Sequence, residues 1–222
     1  MNLYTDFSQR VVVPPESPDW TASPAPGVHR RMLERDGGEI ARATSVVRFD
    51  PGAVFPGHVH DAGEEFLVLS GTFADEHGTY PTGTYVRNPP GLPHNPHSEQ
   101  GCTLLVKLRQ FQPGDDARVV IDTAAAQWLP GLDPGLKVLP LHEFQGEHIA
   151  LVRWAPGTRF KRHVHPGGEE IFVLEGVFAD EYGEYPAGTW LRNPPYSAHT
   201  PFSREGCLIY VKVGHIPPLQ QG

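Results

Sequence analysis

One block of this 222-residue chain occurs twice, and that repeat constrains the fold more than any other feature. Residues 51–108 align on 156–213 without a gap at an offset of 105, with 32 of 58 positions identical. Phe73-Ala74-Asp75-Glu76 matches Phe178-Ala179-Asp180-Glu181, and Arg87-Asn88-Pro89-Pro90 matches Arg192-Asn193-Pro194-Pro195. Cys102 matches Cys207. Further back the offset is 108: Arg10-Val11-Val12-Val13 faces Arg118-Val119-Val120-Ile121, Trp20 faces Trp128, and Gly38-Glu39 faces Gly146-Glu147. The first copy therefore carries three extra residues between Glu39 and Arg48, an insertion that a turn absorbs at low cost. Two homologous halves follow, 1–113 and 114–222, meeting near Gln112-Pro113-Gly114.

Each half reads as all β. Glycine and proline, 24 of each, punctuate short runs of Val, Leu, Phe and Tyr, which is the pattern of many short strands and turns. Strands are expected over 10–13, 45–49, 64–69, 84–87 and 103–109, with 118–121 opening the second half. Residues 123–128 suit a single helical turn. Phe66 and Val68 share one face of their strand and Leu67 and Leu69 the other, so both faces are expected to be covered. Such strands, equally spaced with Gly and Pro corners, predict a sandwich or jelly-roll barrel. The Pro-rich segment 14–26 and its Trp20, with Trp128 in the second half, are expected to pack on the barrels.

Composition excludes several function classes. A net charge of -8 is the wrong sign for a nucleic-acid groove. The first ten residues lack the apolar core of a secretion signal, and no run is long enough to span a membrane. The chain reads as soluble and cytoplasmic. Cys102 and Cys207 make no disulfide framework. They read as small buried residues opening a strand, since a sensing or ligating role requires exposure and a lowered pKa. His29, His77, His97, His142, His148 and His215 are unduplicated or lie in turns, and are expected to be solvated.

The chemistry lies in His58-Val59-His60-Asp61-Ala62-Gly63-Glu64 and its copy His163-Val164-His165-Pro166-Gly167-Gly168-Glu169. Histidines two apart on a strand share a face, and the acid four residues on keeps that parity. Glu65 and Glu170 are then expected to face outward. Thirty residues beyond each acid, after a Pro-Pro corner, come His94 and His199. Each half thus offers three imidazoles and one carboxylate: His58, His60, Glu64 and His94; His163, His165, Glu169 and His199. Such a set suits a divalent metal, with Zn, Fe, Mn and Ni all eligible. With five or six coordination positions, one or two stay open to water or a ligand. Asp75 and Asp180, Tyr80 and Tyr185, and Arg87 and Arg192 are duplicated polar residues suited either to supporting ligands or to locking corners.

The runs Gly52 to Gly71 and Gly83 to His94 resemble the first and second cupin motifs, and Gly157 to Gly176 and Gly188 to His199 repeat both. Tyr196 stands where Gly91 holds the motif glycine, and Ser98 and Ser203 stand where the motif ends in Asn. The resemblance covers nearly the whole chain and implies two tandem cupin barrels, each with a metal on the four residues named. Within cupins the chain is similar to the cupin domain of the ChrR anti-sigma factor. The His-Val-His-Pro-Gly-Gly-Glu-Glu, Phe-Ala-Asp-Glu, Tyr-Pro-Ala-Gly-Thr-Trp and Arg-Asn-Pro-Pro runs carry that likeness. It implies zinc, and a part in the response to singlet oxygen or organic peroxides. That family's sigma-binding helical domain is expected to be missing, since residues 1–26 hold no Cys and no helical pattern. Three functions remain open. One is a regulatory or sensory bicupin that binds a small molecule or a protein partner. Another is a metal-dependent dioxygenase acting on a chelating substrate such as a β-diketone or flavonol. The third is a structural metal site. Two fused barrels suit a monomer with pseudo-two-fold symmetry or a homodimer.

Overall fold

The computed structural model describes residues 2–216 and is all β, as the repeat and the turn pattern predict. No helix occurs among the described residues, so no helix is long and apolar enough to cross a membrane. Residues 123–128 form only a turn, in which the Ala126 N–H donates to Asp122 O at 3.0 Å.

Contacts divide the chain into two compact units. The first holds the residues up to Thr5 with Pro18–Ala126, and the second Asp6–Ser17 with the chain from Gln127 onward. These units do not part at 113/114. In the first unit the main antiparallel sheet runs Val28–Gly37, Ala41–Phe49, Cys102–Leu108, Glu64–Asp75, Thr84–Asn88 and Val119–Asp122. In the second it runs Leu136–Phe144, Glu147–Trp154, Cys207–Val213, Glu169–Asp180, Trp190–Asn193 and Val11–Val13. Each sheet thus ends on the opening strand of the other repeat. The strand at Val28–Gly37 goes beyond the sequence expectations.

The 12-residue Glu64–Asp75 strand makes the jelly roll. Its first half pairs with Cys102–Leu108 and Thr84–Asn88, and its second half with Gly78–Pro81 and His97–Ser98. The change of sheet falls at a bulge, where Ser70 pairs with Thr103 and Val68 with Leu104, leaving Leu69 extra. Next to it Gly71 has φ +75°, and a Cβ there would stand 2.1 Å from Gly101 O, so only glycine fits. The same break recurs at Val173/Glu175, with Gly176 at φ +69°.

Inside the first barrel Phe49, Phe66, Val68, Phe73, Leu104 and Val106 pack as one core, and Ile171, Val173, Phe178, Leu191 and Ile209 do so in the second. Each such side chain contributes about 1.5–3 kcal/mol on burial. The strand's other face is buried too, which corrects one expectation: Glu65 and Glu170 face away from the barrel interior but not to solvent, each being 1% exposed. Arg87, fully buried, meets Glu65 Oε2 at 3.3 Å and Asp115 Oδ2 at 2.8 Å, and its guanidinium lies 3.6 Å from the Phe111 ring centre. Glu170 accepts from Trp190 Nε1 at 2.7 Å and lies 3.2 Å from His215 Nε2. The His215 side chain is therefore covered, not solvated, because a buried carboxylate needs a donor. Trp20 lies over Arg48 and Trp128 over Arg153, at 4.7 Å each.

Replacing Arg87 with Leu removes the guanidinium that meets both Glu65 and Asp115. Arg87→Leu is expected to cost about 3–5 kcal/mol in the first unit, read as an early transition in urea unfolding; a loss under about 1 kcal/mol would show the network to be dispensable.

Candidate metal centres

The four predicted side chains of the first half converge. His58 reaches the site from a two-residue strand whose register sets it opposite His94. His58 Nε2 and His60 Nε2 approach to 2.9 Å, and His60 Nε2 and His94 Nε2 to 3.1 Å. Glu64 closes the set, with Oε1 3.4 Å from His60 Nε2 and Oε2 3.7 Å from His94 Nε2. The second half repeats this. His163 pairs with His199 across its strands. His165 Nε2 lies 3.1 Å from His199 Nε2, and each is 3.5 Å from a Glu169 oxygen. The ligand atoms of each histidine trio lie within 4.8 Å of one another.

The outer nitrogens explain why these lone pairs point inward. His58 Nδ1 is 2.8 Å from Pro56 O and His163 Nδ1 is 3.0 Å from Lys161 O, so both rings donate from Nδ1 and leave Nε2 bare. His94 Nδ1 faces Asp75 Oδ2 at 3.4 Å and His199 Nδ1 faces Asp180 Oδ2 at 3.3 Å. Glu64 Oε2 is buried with no hydrogen-bond partner. Convergent nitrogen lone pairs beside a bare carboxylate oxygen fit a divalent cation.

The duplicated polar residues now separate. In the first unit Tyr80 OH donates to Asp75 Oδ1 at 3.2 Å, and Arg118 Nη2 donates to Tyr80 OH at 3.0 Å. In the second, Tyr185 OH donates to Asp180 Oδ1 at 2.7 Å, and Arg10 Nη2 donates both to Asp180 Oδ2 at 2.9 Å and to Tyr185 OH. Asp and Tyr thus support a histidine, whereas Arg87 and Arg192 lie away from the cluster. Arg10 and Arg118 are site residues that sequence reasoning missed. Their equivalence in the repeat was the signal, but each belongs to the opening segment of the opposite repeat.

Both departures from the cupin motifs leave the clusters intact. Tyr196 adopts φ +62°, close to the +86° of Gly91, and its N–H donates to His165 O at 2.8 Å as Gly91 N–H donates to His60 O at 2.9 Å. Ser98 Oγ donates to Thr72 O at 2.6 Å and Ser203 Oγ to Val177 O at 2.7 Å, tying the second sheet together. The two thiols are buried; burial raises Cys102 and pushes Cys207 up to about 11, the reverse of a reactive cysteine.

Charge is graded across each cluster. Burial lowers His60 and His165 below the ordinary 6.5, outweighing the pull of Glu64 and Glu169. Burial also opposes protonation of His94 and His199, but the hydrogen bonds to Asp75 and Asp180 and the nearby Glu64 and Glu169 outweigh it and raise both. Asp180 falls to about 2: its burial works upward, yet the bonds from His199 and Tyr185 prevail.

A jelly-roll barrel with three inward imidazoles and one carboxylate in each half defines a two-site cupin. More narrowly, the chain belongs to the ChrR cupin-like family, whose sequence profile matches residues 8–112 and 116–217. Solved structures share the fold at low identity. A proposed dioxygenase from Nostoc punctiforme is 15% identical, with a TM-score of 0.78 over 97% of this chain and 85% of its own. An oxalate decarboxylase variant from Bacillus subtilis is 16% identical, with a TM-score of 0.63 over 91% of this chain and 76% of its own. A cupin barrel protein from Leptotrichia buccalis is 11% identical, with a TM-score of 0.59 over 87% of this chain and 91% of its own. No curated protein matches.

The pH response follows from the grading. In the metal-free chain the raised His94 and His199 contribute stability that is full below 6.5 and lost as pH rises through their folded values. The lowered His60 and His165 contribute stability that is present above 6.5 and lost as pH falls through theirs. Of the imidazoles whose affinity is shifted, His94 and His199 take up protons first as pH falls in the metal-free chain. Asp75→Asn is expected to weaken the binding of an added divalent metal about 10- to 100-fold at neutral pH. A chelator competition reads it; unchanged affinity would reduce Asp75 to a packing role.

Proposed function

We propose that each barrel holds one divalent metal, on His58, His60, Glu64 and His94 and on His163, His165, Glu169 and His199, and that the first barrel works on a small chelating molecule. One observation carries this reading: a cavity of about 360 Å³ opens inside the first barrel and is lined by His58, His60 and Glu64 together with apolar wall residues. That size is at the low end for small-molecule sites. When bound, a divalent metal supplies a Lewis-acid centre that holds and polarises a chelating pair of substrate oxygens. The chain's own contribution is positional. Pro56 O and Asp75 keep two imidazoles turned inward, and the apolar wall excludes water from the bound molecule. A dioxygenase acting on a β-diketone or flavonol fits this arrangement.

A second reading rests on the family match: a zinc-holding sensor or regulator in the response to singlet oxygen or peroxide. The buried, raised thiols speak against cysteine-based sensing, so an oxidant signal would have to act at the metal clusters. Zinc, being redox-inert, separates the two readings when the native metal is identified.

Elemental analysis of the purified chain should give close to two metal atoms per chain, and His58→Ala combined with His163→Ala should remove both. Full metal content in the double variant would overturn the site. With iron, manganese or nickel bound, oxygen uptake on addition of 2,4-pentanedione or quercetin supports the oxygenase; zinc with no uptake supports the sensor.

A further inference from the structure

We propose that the first barrel selects an organic anion: its chelating end lies at the His58, His60, Glu64 and His94 cluster, and a carboxylate further along the molecule is held by Arg35. This rests on the metal reading above and adds a substrate class to it.

Arg35 lies on the Val28–Gly37 strand opposite Ala43 and lines the same cavity as His58, His60 and Glu64. It is 4% exposed. Its Nη2 donates to the main-chain carbonyls of Gly38 and Glu39, the latter at 3.3 Å. Among the described residues Nε and Nη1 have no hydrogen-bond partner, and no carboxylate lies within ion-pair distance. The other two arginines lining the cavity are neutralised, Arg30 by Glu39 at 3.1 Å and Arg109 by Asp61. A largely buried guanidinium with no direct ion pair is costly, and an incoming carboxylate lowers that cost with two parallel hydrogen bonds. Burial and the neighbouring charge of Arg30 lower Arg35, and the charge of Glu39 offsets them only in part. Val47, Phe49 and Leu104 supply an apolar wall to the cavity, suited to a hydrocarbon spacer between the two polar ends.

The second barrel lacks this device. The residue paired across the sheet as Arg35 is with Ala43 is Glu143, opposite His148, and it is exposed. The hairpin there turns through Gln145 and Gly146, both at positive φ, between strands ending at Phe144 and starting at Glu147. In the first barrel the corresponding hairpin is longer, and its Glu39 and Ile40 line the cavity. The insertion and the arginine thus distinguish the two sites, and one anion per chain is expected despite two metals.

The test titrates the metal-loaded full chain by calorimetry with 4,6-dioxoheptanoate, a β-diketone with a carboxylate tail, and with its methyl ester. Metal content is measured on every sample. The acid should bind once per chain and roughly 10- to 100-fold more tightly than the ester. Arg35→Gln should erase that preference with metal content unchanged, and Arg35→Lys should retain part of it. An acid that binds no better than the ester, an Arg35→Gln chain that keeps the preference, or two sites per chain overturns the anion site and leaves the metal reading standing. A chain that takes up no metal overturns both. The acid–ester comparison needs only the natural chain, so a variant that fails to fold does not remove the test.

Discussion

Three imidazole nitrogens cannot be packed to within 4.8 Å of one another beside a carboxylate oxygen unless their rings are held in one orientation. The protein does this from the outside. Pro56 O and Asp75 in one barrel, and Lys161 O and Asp180 in the other, accept hydrogen bonds from Nδ1 and turn the bare Nε2 lone pairs toward a common point. Much else in each barrel serves that arrangement. The register that sets His58 opposite His94, the bulge at Leu69 and the positive φ of Gly71 determine where the rings lie. The Tyr80–Asp75 and Tyr185–Asp180 bonds stiffen the groups that orient them.

The exchanged opening strands complete this support. Arg118 ends the His94–Asp75–Tyr80 chain, and Arg10 ends the His199–Asp180–Tyr185 chain, yet each arginine belongs by sequence to the other repeat. A repeat cut at residue 113 would lose the cation that terminates its own supporting chain. Duplication alone therefore does not describe the molecule. The repeats are units of descent, while the compact units are built from pieces of both.

Close repetition of the candidate ligands coexists with divergence around them. The two clusters agree within a few tenths of an ångström in their shared distances, but Arg35 in one barrel stands where Glu143 stands in the other, and Arg109 where Gly214 stands. The proposed dioxygenase and the oxalate decarboxylase share this fold at 15% and 16% identity, and a shared fold does not choose a function. What surrounds the candidate ligands is where the two barrels differ.

Local pattern was enough to read the repeat, the all-β class, the placement of His58, His60 and Glu64 on one face, and the insertion at a hairpin. A period of two residues states which side chains share a face, and nothing tertiary is needed to count it. Val28–Gly37 escaped notice because its charged run Arg30, Arg31, Glu34, Arg35 and Asp36 shows no clean alternation. Only the folded chain showed that Glu65, Glu170 and the His215 side chain are covered, since strand parity gives the direction of a side chain but not what lies over it. The same holds for the strand exchange and for the placement of Arg35 in the cavity. Both depend on which distant segment comes to rest beside a given residue, and that is settled by packing across the whole barrel rather than by neighbours in sequence.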